Sequence, residues 1–394
     1  MSIDSALSPL LAASARDRLG YRPRLFDAAS PDDRAALEQL IARGEVVFAS
    51  DAIADQLREL MAVRTPNKRM TRAELDAKAA AYLGDRPAVE YGTWVYYPWS
   101  RALIHVLPRD EYRELRTSRN RYKISPSEQA RLGAARIGVV GLSVGLASAI
   151  TLVLESIGRE LRLADFDELA LSNMNRLRSS AQNIGVNKAV IAAREIAEID
   201  PYLEIRVFER GLTEENLEAF LTDGGKLDLV VEECDDLFMK IFVREGARRL
   251  GIPVIMETNE RGMLDVERFD IEPDRPLLHG LLDNVRSAEV KGLTTREKAP
   301  YVLRIIGIDT ISLRMRTSLM EIEQSVSSWP QLASGVSLGG ASTTTAARKI
   351  LLDQFRSSGR FFVDLDSMVS DGAEIALSPD RSLDEILSRK ATPD

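Results

Sequence analysis

Residues 136–148 read Arg-Ile-Gly-Val-Val-Gly-Leu-Ser-Val-Gly-Leu-Ala-Ser. A short apolar run ends at Gly141, a loop of small residues follows, and a helical pattern begins. A strand that feeds a helix through such a loop presents unpaired backbone N–H groups and partial positive charge, the arrangement that receives phosphate. Gly141, Ser143 and Gly145 are therefore candidate phosphate contacts. Ser143 and Leu146 stand where a regular G-x-G-x-x-G loop carries glycine, and a tight turn serving packing alone is the competing reading.

The same strand-then-helix rhythm extends outward. Short apolar runs at 161–165, 203–208, 227–231 and 252–257 have the continuous character of buried parallel strands. Helical spacing lies between them: Ala192, Ile196 and Ile199 share a face, with Lys188 in the first turn. The fold class expected is α/β, a Rossmann-like doubly wound, mostly parallel sheet. After Met263 the sheet pattern gives way to polar, irregular sequence, then an apolar stretch at 302–308 and a small-residue helix over 335–352.

Residues 1–115 read as an additional α+β module, with helices near 32–42 and 73–83 and two strands within 91–107 joined at Pro98. The aromatics of that hairpin are read as packing. Residues 353–394 are polar apart from Phe361–Val363 and are expected to form a C-terminal arm or linker.

Composition narrows the function classes. A formal net charge of −8 over 394 residues gives no bulk attraction to nucleic acid or anionic membrane, so neither is an expected partner. The longest apolar stretch, Ala147–Leu154, is far below the roughly 20 residues of a membrane span. The N-terminus lacks the features of a signal peptide, and a cytoplasmic setting is expected. Cys234 is the single cysteine and His105 and His279 the two histidines, so an internal disulfide is impossible and zinc is not expected.

Asp165 ends the second strand twenty-four residues after Gly141, where a carboxylate can accept hydrogen bonds from ribose hydroxyls. NAD and ATP are equally served to this point. The following run, Asp165-Phe-Asp-Glu-Leu-Ala-Leu-Ser-Asn-Met-Asn-Arg176, then Gly185-Val-Asn-Lys188, separates them. Cations beside the phosphates are needed where a carboxylate attacks the α-phosphorus and pyrophosphate leaves.

That order of residues, with Arg116-Thr-Ser-Arg119-Asn before the first strand, the acidic turn Glu232-Glu-Cys-Asp-Asp236 and the small-residue helix, resembles the ThiF/MoeB/ubiquitin-activating superfamily over residues 116–352. The resemblance implies ATP-dependent adenylation of a carboxylate. It assigns Asp165 to the ribose, Asn173 and Arg176 to the phosphates, Lys188 to the phosphate under attack and Asp235 to magnesium, with Asp167 a secondary candidate. Arg119 aligns with an arginine that reaches the neighbouring subunit's nucleotide, which implies a homodimer. A simpler reading leaves Asp235 and Asp236 as helix caps.

The chain lacks a cysteine between the fifth strand and the terminal helix, so adenylation without a covalent thioester is expected. The adenylate would be attacked by an amine, a sulfur donor or a group of the same substrate. The carboxylate could belong to a ubiquitin-like or sulfur-carrier protein, a peptide or a small acid, bound over 263–336, where Arg268, Asp270, Arg275 and His279 are polar residues in loops. The N-terminal module resembles the leading part of bacterial ThiF-family proteins that continue into a nitroreductase-like domain. A catalytically degenerate nucleotide-binding scaffold or sensor, and an NAD-dependent oxidoreductase, are the alternatives.

Overall fold

The structure is a computed structural model that describes residues 19–307, 311–322, 325–326 and 328–370, together with residues 3, 7 and 8. The chain divides into two compact units: residues 1–134, 152–160 and 189–207 form the first, and 135–151, 161–188 and 208–394 the second.

The first unit carries strands β1 (Arg24–Phe26), β2 (Phe48–Asp51), β3 (Thr93–Tyr97) and β4 (Ala102–Val106) in the order β1-β3-β4-β2. β3 and β4 are the antiparallel hairpin expected around Pro98, and β2 joins β4 in parallel. Helix α1 (Pro31–Ala42) contributes Leu37 and Leu40 to a cluster with Phe26, Tyr96 and Leu103. Helices α2 (Ile53–Val63) and α3 (Arg72–Leu83) build a second cluster from Ile53, Leu57, Leu60 and Ala79 with Tyr91 and Leu107. The hairpin aromatics pack as expected, since Tyr96 and Tyr97 are buried. His105 is a core group: it stacks on Trp94 with ring centroids 4.2 Å apart, and its ring nitrogens meet Asp51 and the Tyr91 carbonyl.

Later parts of the chain complete this unit. Helix α4 (Arg109–Arg116) sends Arg116 to the Val153 carbonyl at 2.7 Å and to Asp200 at 3.0 Å, while Tyr112 donates to Ile199 O at 2.8 Å. Helix α5 (Pro126–Leu132) starts with a Ser125–Glu128 capping box.

Strand β5 (Arg136–Val140), helix α6 (Gly145–Leu154), strand β6 (Glu160–Ala164), helix α7 (Lys188–Ile199) and strand β7 (Glu204–Phe208) follow the expected rhythm. Helix α8 (Leu217–Thr222), strand β8 (Leu229–Glu232), helix α9 (Leu237–Leu250) and strand β9 (Val254–Thr258) continue it. The large sheet has seven strands in the order β11-β10-β9-β8-β5-β6-β7, with β10 at Met263–Glu267 and β11 at Gly359–Phe362. β5 pairs with β8 and β8 with β9 in parallel. Phe220, Leu221, Val230, Val243, Ala247 and Phe269 belong to one core cluster of the second unit. Helix α10 (Thr295–Ile306), helix α11 (Leu313–Glu321) and helix α12 (Ala333–Leu351) complete the elements used below.

Two expectations are corrected here. The sheet does not give way after Met263: β10 pairs antiparallel with β9, and β11 pairs antiparallel with β10 through Met263↔Phe362 and Val266↔Gly359. The run Met263-Leu-Asp-Val-Glu267 reads as polar because of Asp265 and Glu267, yet these are 1% and 0% exposed. Their charge is met inside the unit: Arg360 of β11 binds Asp265 at 2.8 Å, His279 lies 2.9 Å from it, and Arg244 bonds both Glu267 and Glu232. The start of the expected C-terminal arm is thus part of the sheet, while residues 371–394 lie outside the described residues. The apolar stretch near 302–306 is helical, and Arg268, in the loop that follows β10, is 1% exposed and paired with Asp270 at 2.7 Å. No helix among the described residues is long and apolar enough to cross a membrane.

Candidate active site

In the strand order β7-β6-β5-β8-β9 the chain leaves β5 to one side and returns on the other. Ligands of such sheets bind in the crevice outside the carboxyl ends of the strands at this switch point. Gly141 follows β5, Asp165 follows β6 and Glu233–Asp235 follow β8, so all three segments end there.

The glycine loop is shaped by its neighbours. Gly141 has φ +84°, and a Cβ would fall 2.8 Å from the Glu233 carbonyl oxygen, so a side chain is excluded by conformation and by space. A Cβ on Gly145 would meet Val139 Cγ1 at 3.0 Å, which lets α6 lie close on β5. Between them the buried Ser143 Oγ has no hydrogen-bond partner. A hydroxyl left so at a helix start is a ready donor to an anion.

Asp165 locks this loop to the next strand. Its Oδ2 accepts from Leu142 N at 2.6 Å and its Oδ1 from Asp167 N at 2.8 Å. Burial raises its pKa, and the two backbone amides and the nearby Lys188 charge work against that rise. Lys188, 6% exposed at the start of α7, donates from Nζ to Asp167 Oδ2 at 2.8 Å, and its own backbone N–H meets Asp167 O at 2.8 Å. The structure therefore brings Gly141, Ser143, Asp165, Asp167 and Lys188 into one connected group.

Asn173 and Arg176 serve their own turn. Asn173 Oδ1 accepts from Ala170 N at 3.1 Å, and Arg176 Nη1 donates to Asn175 Oδ1 at 2.9 Å, leaving the buried Arg176 Nε without a partner. After β8 the acidic turn divides its roles. Asp236 caps α9 by accepting from Met239 N at 3.0 Å and pairs with Lys298 at 2.8 Å, while Asp235 is exposed. Burial, reinforced by the Glu232 charge, pushes the Cys234 thiol well up, the opposite of what a thiolate nucleophile requires. Arg119 stands exposed in the Ser118–Asn120 turn of the first unit.

Sequence reading missed the wall of an adjoining cavity. Glu233, Asp235, Glu257 and Asn259 line a space of about 160 Å³ with Ile305 and Trp329. Glu257 appeared only as the last residue of an apolar strand. A carboxylate ending such a run, at the same sheet edge as the glycine loop, was the available signal.

The ThiF family pattern matches residues 117–380. The chain is 46% identical over 274 residues to an uncharacterised protein of Mycobacterium tuberculosis, a match covering 70% of this chain and 38% of the relative, so the chain spans about two fifths of that relative's length. It is 26% identical over 195 residues to the molybdopterin-synthase adenylyltransferase of Haemophilus influenzae, covering 48% of this chain and 78% of the relative. Among solved structures, tRNA N6-threonylcarbamoyladenosine dehydratase of Escherichia coli aligns with TM-score 0.44 at 17% identity, over 61% of this chain and 95% of that one. With the pattern spanning more than half its length and the glycine loop, acidic turn and lysine gathered at one sheet edge, the chain belongs to the ThiF family.

Proposed function

We propose that the chain adenylates a carboxylate at the expense of ATP, without passing through a cysteine thioester. The observation that carries this reading is the connected group at the carboxyl ends of β5 and β6, where Ser143 Oγ and, in the turn beyond, Arg176 Nε are buried polar atoms without protein partners. Membership of the ThiF family and the likeness to a relative named as an adenylyltransferase support the same reaction class.

The residues fit a nucleotide. The glycine loop and Ser143 would receive phosphate, Asp165 the ribose, and Asn173 and Arg176 the outer phosphates. Lys188 would exchange Asp167 for the phosphate under attack, as a mobile point charge can. Asp235 is free to serve magnesium, with Asp167 second. Such an ion is commonly held by one or two carboxylates and by the phosphates themselves. Magnesium would supply charge neutralisation at the departing pyrophosphate. The homodimer, with Arg119 serving the neighbouring site, and a small carrier protein, peptide or small acid as substrate belong to this proposal, as does the cytoplasmic setting.

Calorimetry with ATP and with NAD, in the presence and absence of magnesium, tests it. Magnesium-dependent ATP binding that weakens by about tenfold or more in Lys188→Ala is expected, the loss of one charge-assisted contact. Absence of ATP binding would replace the enzyme with a nucleotide-free scaffold, and preferential NAD binding with an oxidoreductase.

A further inference from the structure

Helix α9 has a second open groove at its far end, remote from the acidic turn. Asp236 caps the start of the helix and Arg248 and Arg249 lie in its last turn, about 18 Å further along the axis at a rise of 1.5 Å per residue. The groove encloses about 570 Å³, within the roughly 300–1,000 Å³ of small-molecule sites. Part of its wall is apolar, formed by Leu217 at the start of α8, Phe242 of α9, and Leu277 and Val285 beyond β10. The rest carries three cations, Arg248, Arg249 and Arg286, against two acids, Glu245 and Asp283. This is a local excess of positive charge in a chain whose net charge is −8.

Both acids are engaged. Asp283 pairs with Arg304 at 2.9 Å. Glu245 accepts from the Ser287 backbone N–H at 3.1 Å and from its hydroxyl at 2.5 Å, although Arg248 lies only three residues further along the same helix. Arg249 is matched by Glu218. Arg248 and Arg286 are not matched. Among the described residues neither forms an ion pair: Arg248 donates from Nη1 to the Arg275 carbonyl at 3.3 Å, and Arg286 uses only its backbone N–H, toward Glu289. A helix C-terminus attracts cations through its free carbonyls, but here those are already served. The Gly251 N–H reaches the Ala247 and Arg248 carbonyls, and Lys226 Nζ reaches the Leu250 carbonyl at 3.0 Å.

We infer that this groove binds a small organic oxyanion, a carboxylate or a phosphate monoester with an apolar body, its charged end received by Arg248 and Arg286 and its body by Phe242, Leu277 and Val285. Guanidinium groups suit both oxyanions because their planar fork donates two parallel hydrogen bonds. A cation is opposed by the excess positive charge, and a neutral molecule gains only the apolar wall. The inference stands independently of the nucleotide reading, since none of these residues belongs to the glycine loop, the acidic turn or the Lys188 group.

Calorimetry on the full chain without nucleotide tests it, using phenyl phosphate and 3-phenylpropanoate as the anions and 3-phenylpropanamide as the neutral probe. At least one anion is expected to bind about fivefold or more tighter than the amide, the margin of a charge-assisted contact partly screened by solvent. Whichever anion binds tighter identifies the oxyanion as phosphate or carboxylate. Arg286→Gln and Arg248→Gln should each weaken that anion by at least about fivefold and leave the amide unchanged. Arg286 is exposed and its side chain makes no bond within the described residues, so its variant keeps the test open if Arg248→Gln fails to fold. Lys188→Ala, at the nucleotide site, should bind the anion as wild type does. Equal binding of anions and amide, no binding of any probe, unchanged anion binding in either folded arginine variant, or loss of anion binding in Lys188→Ala would overturn the inference.

Discussion

Gly141 shows how one residue ties the backbone of the glycine loop to the acidic turn. Because an added methyl meets the Glu233 carbonyl at a positive φ, Gly141→Ala is expected to cost about 2–4 kcal/mol in urea unfolding. Asp235 makes the opposite prediction. It is exposed, so Asp235→Ala should leave the unfolding curve unchanged while abolishing ATP–pyrophosphate exchange. Retained exchange would remove it from the site. Glu257 gives a pH signature. Its folded-state pKa, about 8, lies above the ordinary 4.5, so its contribution is full below the unfolded value and is lost as pH rises through the folded one. The folded state must then hold a buried carboxylate beside Glu233, which hydrogen-bonds its backbone. Thermal midpoints of the wild type should fall relative to Glu257→Gln between pH 4.5 and 8, and parallel curves would refute this.

At the level of elements, legibility followed the chemistry of burial. The parallel strands β5, β8 and β9 are continuous apolar runs buried on both faces, so hydrophobicity alone located them. β10 escaped because its interior positions are filled by ions: Asp265 and Glu267 are silent in an apolar pattern until Arg360 and Arg244 are seen beside them. The same limit applies to the candidate site. Gly141, Asp165 and Lys188 were visible as residue types at fixed spacing. The Lys188–Asp167 pair and the unpartnered Glu257 depend on side-chain geometry that spacing does not encode. Replacing Arg244 with Met would leave Glu232 and Glu267 buried without their shared cation, and a loss of about 3–5 kcal/mol is expected in denaturant titration. In the first unit, the Thr71–Glu74 capping box starts α3. The Thr71 backbone N–H, aided by Lys68, lowers Glu74 to about 2 from 4.5. Its contribution is present above the ordinary value and disappears as pH falls toward 2, so wild type and Glu74→Gln should differ in thermal midpoint at pH 6 and converge near pH 2.

On the scale of the whole molecule, the proposed homodimer makes Arg119 and Lys188 separable defects. If Arg119 serves the neighbour's nucleotide, an equimolar mixture of Arg119→Ala and Lys188→Ala chains forms hybrids with one intact site, and about a quarter of wild-type exchange should return. No recovery on mixing would confine each site to its own chain. The composition of the first unit carries a different consequence. It is assembled from residues 1–134, 152–160 and 189–207, and Arg116 and Tyr112 find their partners at Val153, Asp200 and Ile199. During synthesis on the ribosome, α4 must wait for these partners until the chain has been extended past residue 200. The second unit begins within that interval, so the two must mature together, and a stalled or prematurely released chain ending before that point would be a substrate for chaperones and proteases.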